Sequence, residues 1–250
     1  SLAKDERGRV TRVHYKKWNE HGMPDQMVSA PVVLVAAHAI ETPKLLLMSK
    51  LANSSDQVGR NLMDHIQWEI TALFDEPVFP FRGPQSVTAI ESFREGPFRS
   101  ERSGFRMTIG NDGWGRAGSP ATILDGLMSN KIYGPELLAR ASHEISRMIR
   151  LSFSTEMLPR PENRVQVSNK VDDALKLPRP LITFGVDAYA RGGLMPGFET
   201  SKAIFQLMNA TLAEAKPPVQ PDGTVNWNTA AHIMGTCIMG EDPKDSVVDG

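Results

Sequence analysis

The sequence predicts an α+β fold: a mostly antiparallel sheet of about six strands flanked by helices. Three observations carry that expectation. Short runs such as "QWEITALFD" alternate Trp68, Ile70, Ala72 and Phe74 with Gln67, Glu69 and Thr71, the period-2 pattern of a half-buried antiparallel strand. Two longer stretches carry apolar residues at helical spacing instead. The apolar share of 40% over 250 residues is enough to bury a core.

In chain order, "RGRVTRVHYKK" alternates small or apolar with basic residues and predicts an edge strand, which leads to a polar hairpin-like loop at "NEHGMPDQ". "PVVLVAA" is continuously apolar and β-branched, as for a strand covered on both faces. "ETPKLLLMSKL" follows as a helix with Thr42 at the N-cap and Pro43 as its first helical residue. Period-2 runs recur at "SVTAIESF", "FRMTIG", "LSFSTEML", "RVQVS" and "LITFGVD", so the sheet is expected to span roughly Gln67 to Asp187. Two helices flank it. In "PELLARASHEISRMIR" the inward face is Leu138, Ala141, Ile145, Met148 and Ile149; in "ETSKAIFQLMNATLAEAK" it is Ala203, Ile204, Leu207, Met208 and Leu212. Proline-rich joints at "LPRPEN", "KLPRPL" and "AKPPVQPDG" are loops.

Charge excludes several classes. With 28 Lys plus Arg against 29 Asp plus Glu, the net charge of -1 gives no electrostatic reason to approach nucleic acid or an anionic membrane. The longest apolar run, "VVLVAA", is far shorter than the roughly 20 residues of a spanning helix, so no membrane insertion is expected. The single cysteine, Cys237, excludes an internal disulfide, and no third or fourth ligand clusters with His232 and Cys237 to make a metal site. "GWGRAG" satisfies the G-x-G-x-x-G pattern. However, Ser119 and Pro120 follow it, another glycine interrupts "ATILDGLMSN", and the preceding "FRMTIGND" looks antiparallel. A dinucleotide fingerprint needs a parallel strand before the glycines and a helix directly after them, so a turn is the expectation here. "HEISR" has Arg147 where a zinc-protease helix has its second histidine.

Three separated segments carry a stronger signal: "VVLVAAHAIETPKLLLMS", "VGRNLMDH" from Val58 to His65, and "HIMGTCIMGEDPKDSVVD" near the end. In this order and spacing they resemble the glucose-methanol-choline (GMC) FAD-dependent oxidoreductases. The first is similar to that family's strand, turn and helix beside FAD, the second to the loop lying against the flavin, and the third to the H-x-x-G-T-C/H-x-M-G block with the catalytic histidine. "PVFPFRGPQS", "NDGW" and "EMLPRPENRV" resemble the bacterial gluconate, sorbitol, fructose and glucose dehydrogenase large subunits. Two positions depart from the pattern: His38 stands where the family usually has Gly or Asn, and Ile238 where the subgroup commonly has Arg.

The resemblance implies partial FAD-binding elements at 1–65, a substrate-binding domain at 66–224 and a partial catalytic segment at 225–250. It also implies that an N-terminal FAD fingerprint and a second active-site residue lie outside this stretch. The implied reaction is oxidation of a CH–OH group of a sugar, polyol or sugar acid by hydride transfer to flavin. FAD is expected in the complete enzyme and not on this chain alone. His232 is the candidate base, since an imidazole with an ordinary pKa of about 6.5 suits a proton acceptor, and Ile233 and Met234 would limit its hydration. Ala37, His38, Ala39, Asn61, Asp64 and Gly235 are the candidate cofactor-binding residues, with Gly235 and Gly240 allowing close approach of backbone to a flat ring. Asn61 and Asp64 suit Asx-type bonds in the flavin-facing loop or a plain turn. Arg82 suits either a polar substrate or a surface ion pair, and His65 a structural cap. The partners implied are a small-molecule alcohol or sugar and an electron-transfer subunit; the resemblance implies the periplasmic side of a bacterial membrane, and the cytoplasm is the alternative. The other class that fits is a non-catalytic ligand- or partner-binding module derived from the same family.

Overall fold

The computed structural model describes residues 1–17, 24–82, 88–110 and 120–248. The elements run β1 (Leu2–Lys4), β2 (Val10–Lys16), β3 (Asp25–Ser29), α1 (His38–Met48), β4 (Ile66–Leu73), β5 (Ala89–Ile90) and β6 (Phe105–Gly110). They continue with α2 (Pro120–Ser129), α3 (Gly134–Arg147), β7 (Met148–Thr155), β8 (Arg164–Asp172), β9 (Pro178–Thr183), α4 (Ala188–Gly192), α5 (Leu194–Leu207), β10 (Thr211–Glu214) and β11 (Asn228–Thr229). The α+β class stands, and every strand pairing within the named sheets is antiparallel. The chain divides into two compact units, one of Ser1–Asp64, Leu158–Gly185 and Ala231–Gly250, the other of His65–Met157 and Val186–Ala230. No helix among the described residues is long and apolar enough to cross a membrane.

In the first unit β1, β2 and β3 form a meander with β2 at its centre, so the expected edge strand is the middle one. The loop expected at "NEHGMPDQ" lies mostly outside the described residues. The expected doubly covered strand at "PVVLVAA" is not formed among the described residues: no described ladder pairs it, and Val32 and Leu34 are 71% and 90% exposed. Helix α1 begins at His38, five residues before Pro43, because the Thr42 hydroxyl accepts the Ala37 N–H at 3.1 Å and closes the turn ahead of the proline. Its other end is a Schellman motif with Lys50 at a φ of 54°: Leu51 N–H donates to Leu46 C=O and Lys50 N–H to Leu47 C=O. The runs "RVQVS" and "LITFGVD" do not join the main sheet. They pair with each other as the β8–β9 hairpin, against which α1 packs.

The second unit is organised on a six-stranded sheet in the order β10-β4-β7-β6-β5, with β11 also on β4. Alternation along β4 sends Ile66, Ile70 and Ala72 into the core, where they are at most 1% exposed. Helix α5 covers that face. Its buried stripe is Leu194, Gly197, Phe198, Ser201 and Phe205. The expected stripe through Ala203 and Leu207 instead faces outward, with Leu207 86% exposed. Small residues decide this, because a Cβ on Gly197 would lie 2.4 Å from the Phe153 ring, so this glycine lets the helix close down on the sheet. The helix also ends earlier than its apolar spacing suggests. Asn209 at a φ of 53° closes a Schellman motif, with Ala210 N–H on Phe205 C=O and Asn209 N–H on Gln206 C=O, and the chain turns into β10.

The opposite face of β4 carries Glu69, Thr71 and Leu73 toward α2 and α3. These two helices pack through Ile123, Leu127 and Ala141, joined by Leu137, Ile145 and Met148; Leu138, expected inside, is 71% exposed. Pro120 and Gly126 argue against a helix in this stretch of sequence, yet α2 forms, with Pro120 as its first described residue. The "GWGRAG" run lies outside the described residues. The strand before it, β6, is antiparallel to both β5 and β7, which a dinucleotide fingerprint does not allow.

Candidate functional site

In the first unit the segments "VGRNLMD" and "HIMGTC" run side by side in opposite directions. Met63 and Met234 exchange both backbone bonds, at 2.9 and 3.0 Å, and Gly59 N–H donates to Thr236 C=O at 2.8 Å. Between these links the chains come close enough to demand glycine. Gly235 adopts a φ of 97°, and a Cβ there would lie 2.0 Å from the Asn61 carbonyl oxygen. Its lack of a side chain is thus required by a neighbouring backbone, a reason different from the expected approach of a ring. Asn61 is itself left-handed, at a φ of 62°, and its amide donates to Gln57 Oε1 at 3.2 Å.

Asp64 closes this pairing. Its carboxylate, on a residue only 6% exposed, accepts the backbone N–H of His232 at 2.9 Å. A charged acceptor on a backbone donor makes a stronger bond than a neutral pair would, so the position of the His232 main chain is tied to the loop 58–64. In this stretch of chain His232 is exposed, Ile233 half-buried and Met234 42% exposed.

The third segment is tied in by a residue that sequence reasoning did not single out. Pro43 lies inside α1 and has no N–H to give to the Ala39 carbonyl four residues back. The Thr236 hydroxyl donates to that carbonyl instead, at 2.6 Å, and Thr236 is 2% exposed. The signal existed in the sequence: a Pro in the first turns of a helix leaves an acceptor for some other donor to fill. The turn Ala37–Ala39 is thereby held to the block that carries His232. His38 takes a φ of 70° there and its Nδ1 accepts the Ile40 N–H at 3.4 Å, a local bond of the kind that makes polar side chains tolerable in the left-handed region. Cys237 is half-buried, and burial pushes its thiol pKa up, which makes it a poor thiolate. Arg82, in the second unit, stands over the Phe79 ring at 3.8 Å. Among the described residues no group of three or more His, Cys, Asp or Glu could hold a metal ion.

All six candidate cofactor residues and His232 therefore belong to one unit, and Thr236, Asp64 and the Met63–Met234 pair join the segments that hold them. An imidazole is a group suited to accept a proton.

The chain belongs to the GMC oxidoreductase family: that family's N-terminal profile matches residues 2–67 and its C-terminal profile residues 159–250, together more than half of the chain. It is 34% identical to the fructose dehydrogenase large subunit of Gluconobacter japonicus, over 100% of this chain and 44% of that protein. A 2-methyl-1,2-propanediol dehydrogenase of Mycolicibacterium austroafricanum is 26% identical over 89% of this chain and 40% of its own length. Among solved structures, pyridoxine 4-oxidase from Mesorbium loti shares the fold with a TM-score of 0.61 and 19% identity, over 96% of this chain and 46% of that one. The chain thus spans less than half the length of the curated relatives it matches.

Proposed function

We propose that this chain supplies the substrate-binding and catalytic-histidine portion of an FAD-dependent dehydrogenase that oxidises a CH–OH group of a sugar, polyol or sugar acid. The observation that carries the reading is the Asp64–His232 bond, which fixes the histidine of the C-terminal block against the loop resembling the flavin-facing segment. Similarity to a fructose dehydrogenase large subunit supports a sugar or polyol as substrate, and the words "large subunit" in that protein's name support an electron-transfer partner. FAD, when bound, supplies the hydride acceptor. His232 takes the substrate's hydroxyl proton on an imidazole nitrogen. Asp64 and the Met63–Met234 pairing hold the main chain of His232, so that the ring is presented from a fixed backbone. Thr236 and Ala39 keep the α1 start in register with it.

The test is His232→Ala in the complete enzyme. FAD occupancy and fold are expected to remain, because the residue is exposed, while flavin reduction under anaerobic stopped flow slows by about 10² or more. Reduction at the unaltered rate per bound flavin would remove His232 from the reaction.

A further inference from the structure

Between α2, α3 and the outer face of β4, within the second unit, lies a cavity of about 500 Å³. That is the size of a small-molecule site. Its wall contains Gly126, in the middle of α2, where glycine is the poorest helix former after proline. Packing does not explain the residue: a Cβ at Gly126 would meet nothing within 4 Å, and its φ is not in the left-handed region. The gap it leaves opens into the cavity.

The polar lining has a definite chemistry. Glu144 is paired with Arg140, whose Nε donates to it at 3.0 Å, and Glu69 with Arg150 at 2.7 Å. The side chains of Glu144 and Glu69 are only 13% and 30% exposed. Each carboxylate is thus balanced by a guanidinium, Arg140 on the wall itself and Arg150 outside the lining, so the wall presents acceptors and the Arg140 donors with its acidic charge compensated. Thr71, Thr122 and Asn130 add hydroxyl and amide groups, while Leu73, Ile123 and Leu127 give an apolar floor. Balanced donor–acceptor pairs beside an apolar floor match a molecule with vicinal hydroxyls on one side and C–H groups on the other.

We propose that this cavity binds a neutral polyhydroxylated compound of hexose or hexitol size, and that Gly126 keeps its mouth open. The reading of the protein as a sugar or polyol oxidoreductase guides only the choice of probes. Binding is measured without flavin, so its failure and that of the His232 assignment are separately visible.

The experiment titrates the full protein with D-fructose, sorbitol and gluconate, by NMR chemical-shift perturbation and calorimetry. Fructose or sorbitol is expected to shift amides of α2, α3 and β4 and to bind at least tenfold more tightly than the gluconate anion. Gly126→Leu is expected to block the mouth and abolish these shifts while leaving thermal stability unchanged or raised, since it replaces glycine in a helix. Glu144→Gln is expected to weaken binding by tenfold or more. Failure of both neutral probes to bind, gluconate binding as tightly as sorbitol, or unaltered affinity in the folded Gly126→Leu protein would each overturn the proposal.

Discussion

The two units are held together by different means. In the second, a regular ladder presents Ile66, Ile70, Met107 and Phe153 to α5, and all four are at most 1% exposed. In the first, the segments that gather around His232 meet through isolated bridges, single side-chain bonds such as Asp64 to His232, and left-handed residues at His38, Asn61 and Ala231. The apolar run Val32–Val35 meanwhile stays on its surface. Packing fixes the one and polar joints fix the other, so substitutions in the two should differ in size and in kind.

The largest effect is expected from Phe153→Ala. Phe153 is fully buried, edge-on to Phe105 with ring centroids 6.1 Å apart, and lies under Gly197 of α5. Its loss removes apolar contact and leaves a cavity, which costs about 3–5 kcal/mol. Urea unfolding measures the loss, and amide exchange should show it first in β4, β6 and β7. Equal loss of protection at Leu62 and Met63 in the first unit would break the contrast between the units.

A middle-sized effect is expected from Thr236→Val, which keeps the shape and removes the hydroxyl. The Ala39 carbonyl, already without a helical partner because residue 43 is proline, then loses its donor. An unmet buried acceptor costs about 1–3 kcal/mol. Urea unfolding checks the magnitude, and NMR shifts confined to the Ala37–Pro43 turn would sharpen the view that single polar bonds hold this unit. Unchanged stability would mean that the joint rests on the Met63–Met234 bridge instead.

The same contrast explains what the sequence made legible. β4, β6 and β7 are visible as period-2 runs because one face of each is buried and the alternation records it. The segments "VGRNLMDH" and "HIMGTC" are visible through family resemblance, and the structure sets them side by side. What escaped depends on long-range partners. Nothing within "RVQVS" says that it pairs with "LITFGVD" and not with the main sheet, and nothing within "PVVLVAA" says that no described strand lies beside it. The outward stripe through Leu207 misled because helical spacing alone cannot tell which apolar face is buried, whereas Gly197 and Ser201 mark the close approach. The Thr236–Ala39 bond required knowing that Pro43 sits inside α1 and not at its start, which depends on the turn closed by Thr42.

The smallest effect concerns the turn of the β8–β9 hairpin. Asp173 Oδ1 accepts the N–H groups of Leu177 at 2.9 Å and Leu175 at 2.8 Å. Those bonds, the one from Leu177 first, hold its carboxyl below the ordinary aspartate range, while partial desolvation opposes them. A carboxyl with a depressed folded pKa binds fewer protons folded than unfolded, so its contribution is present above the unfolded value of about 3.9 and is lost as pH falls through the lower folded value. Acid should therefore loosen this turn below about pH 4. Asp173→Asn keeps an oxygen acceptor for both amides but cannot be protonated, so the turn should be slightly weaker at neutral pH and indifferent to acid. The exchange rates of the Leu175 and Leu177 amides, followed from pH 6 to 3 after correction for intrinsic exchange, separate the two proteins. An identical acid response in the Asn variant would show that another group governs the turn and that this hairpin is held by its strands, as the second unit is, and not by a single polar joint.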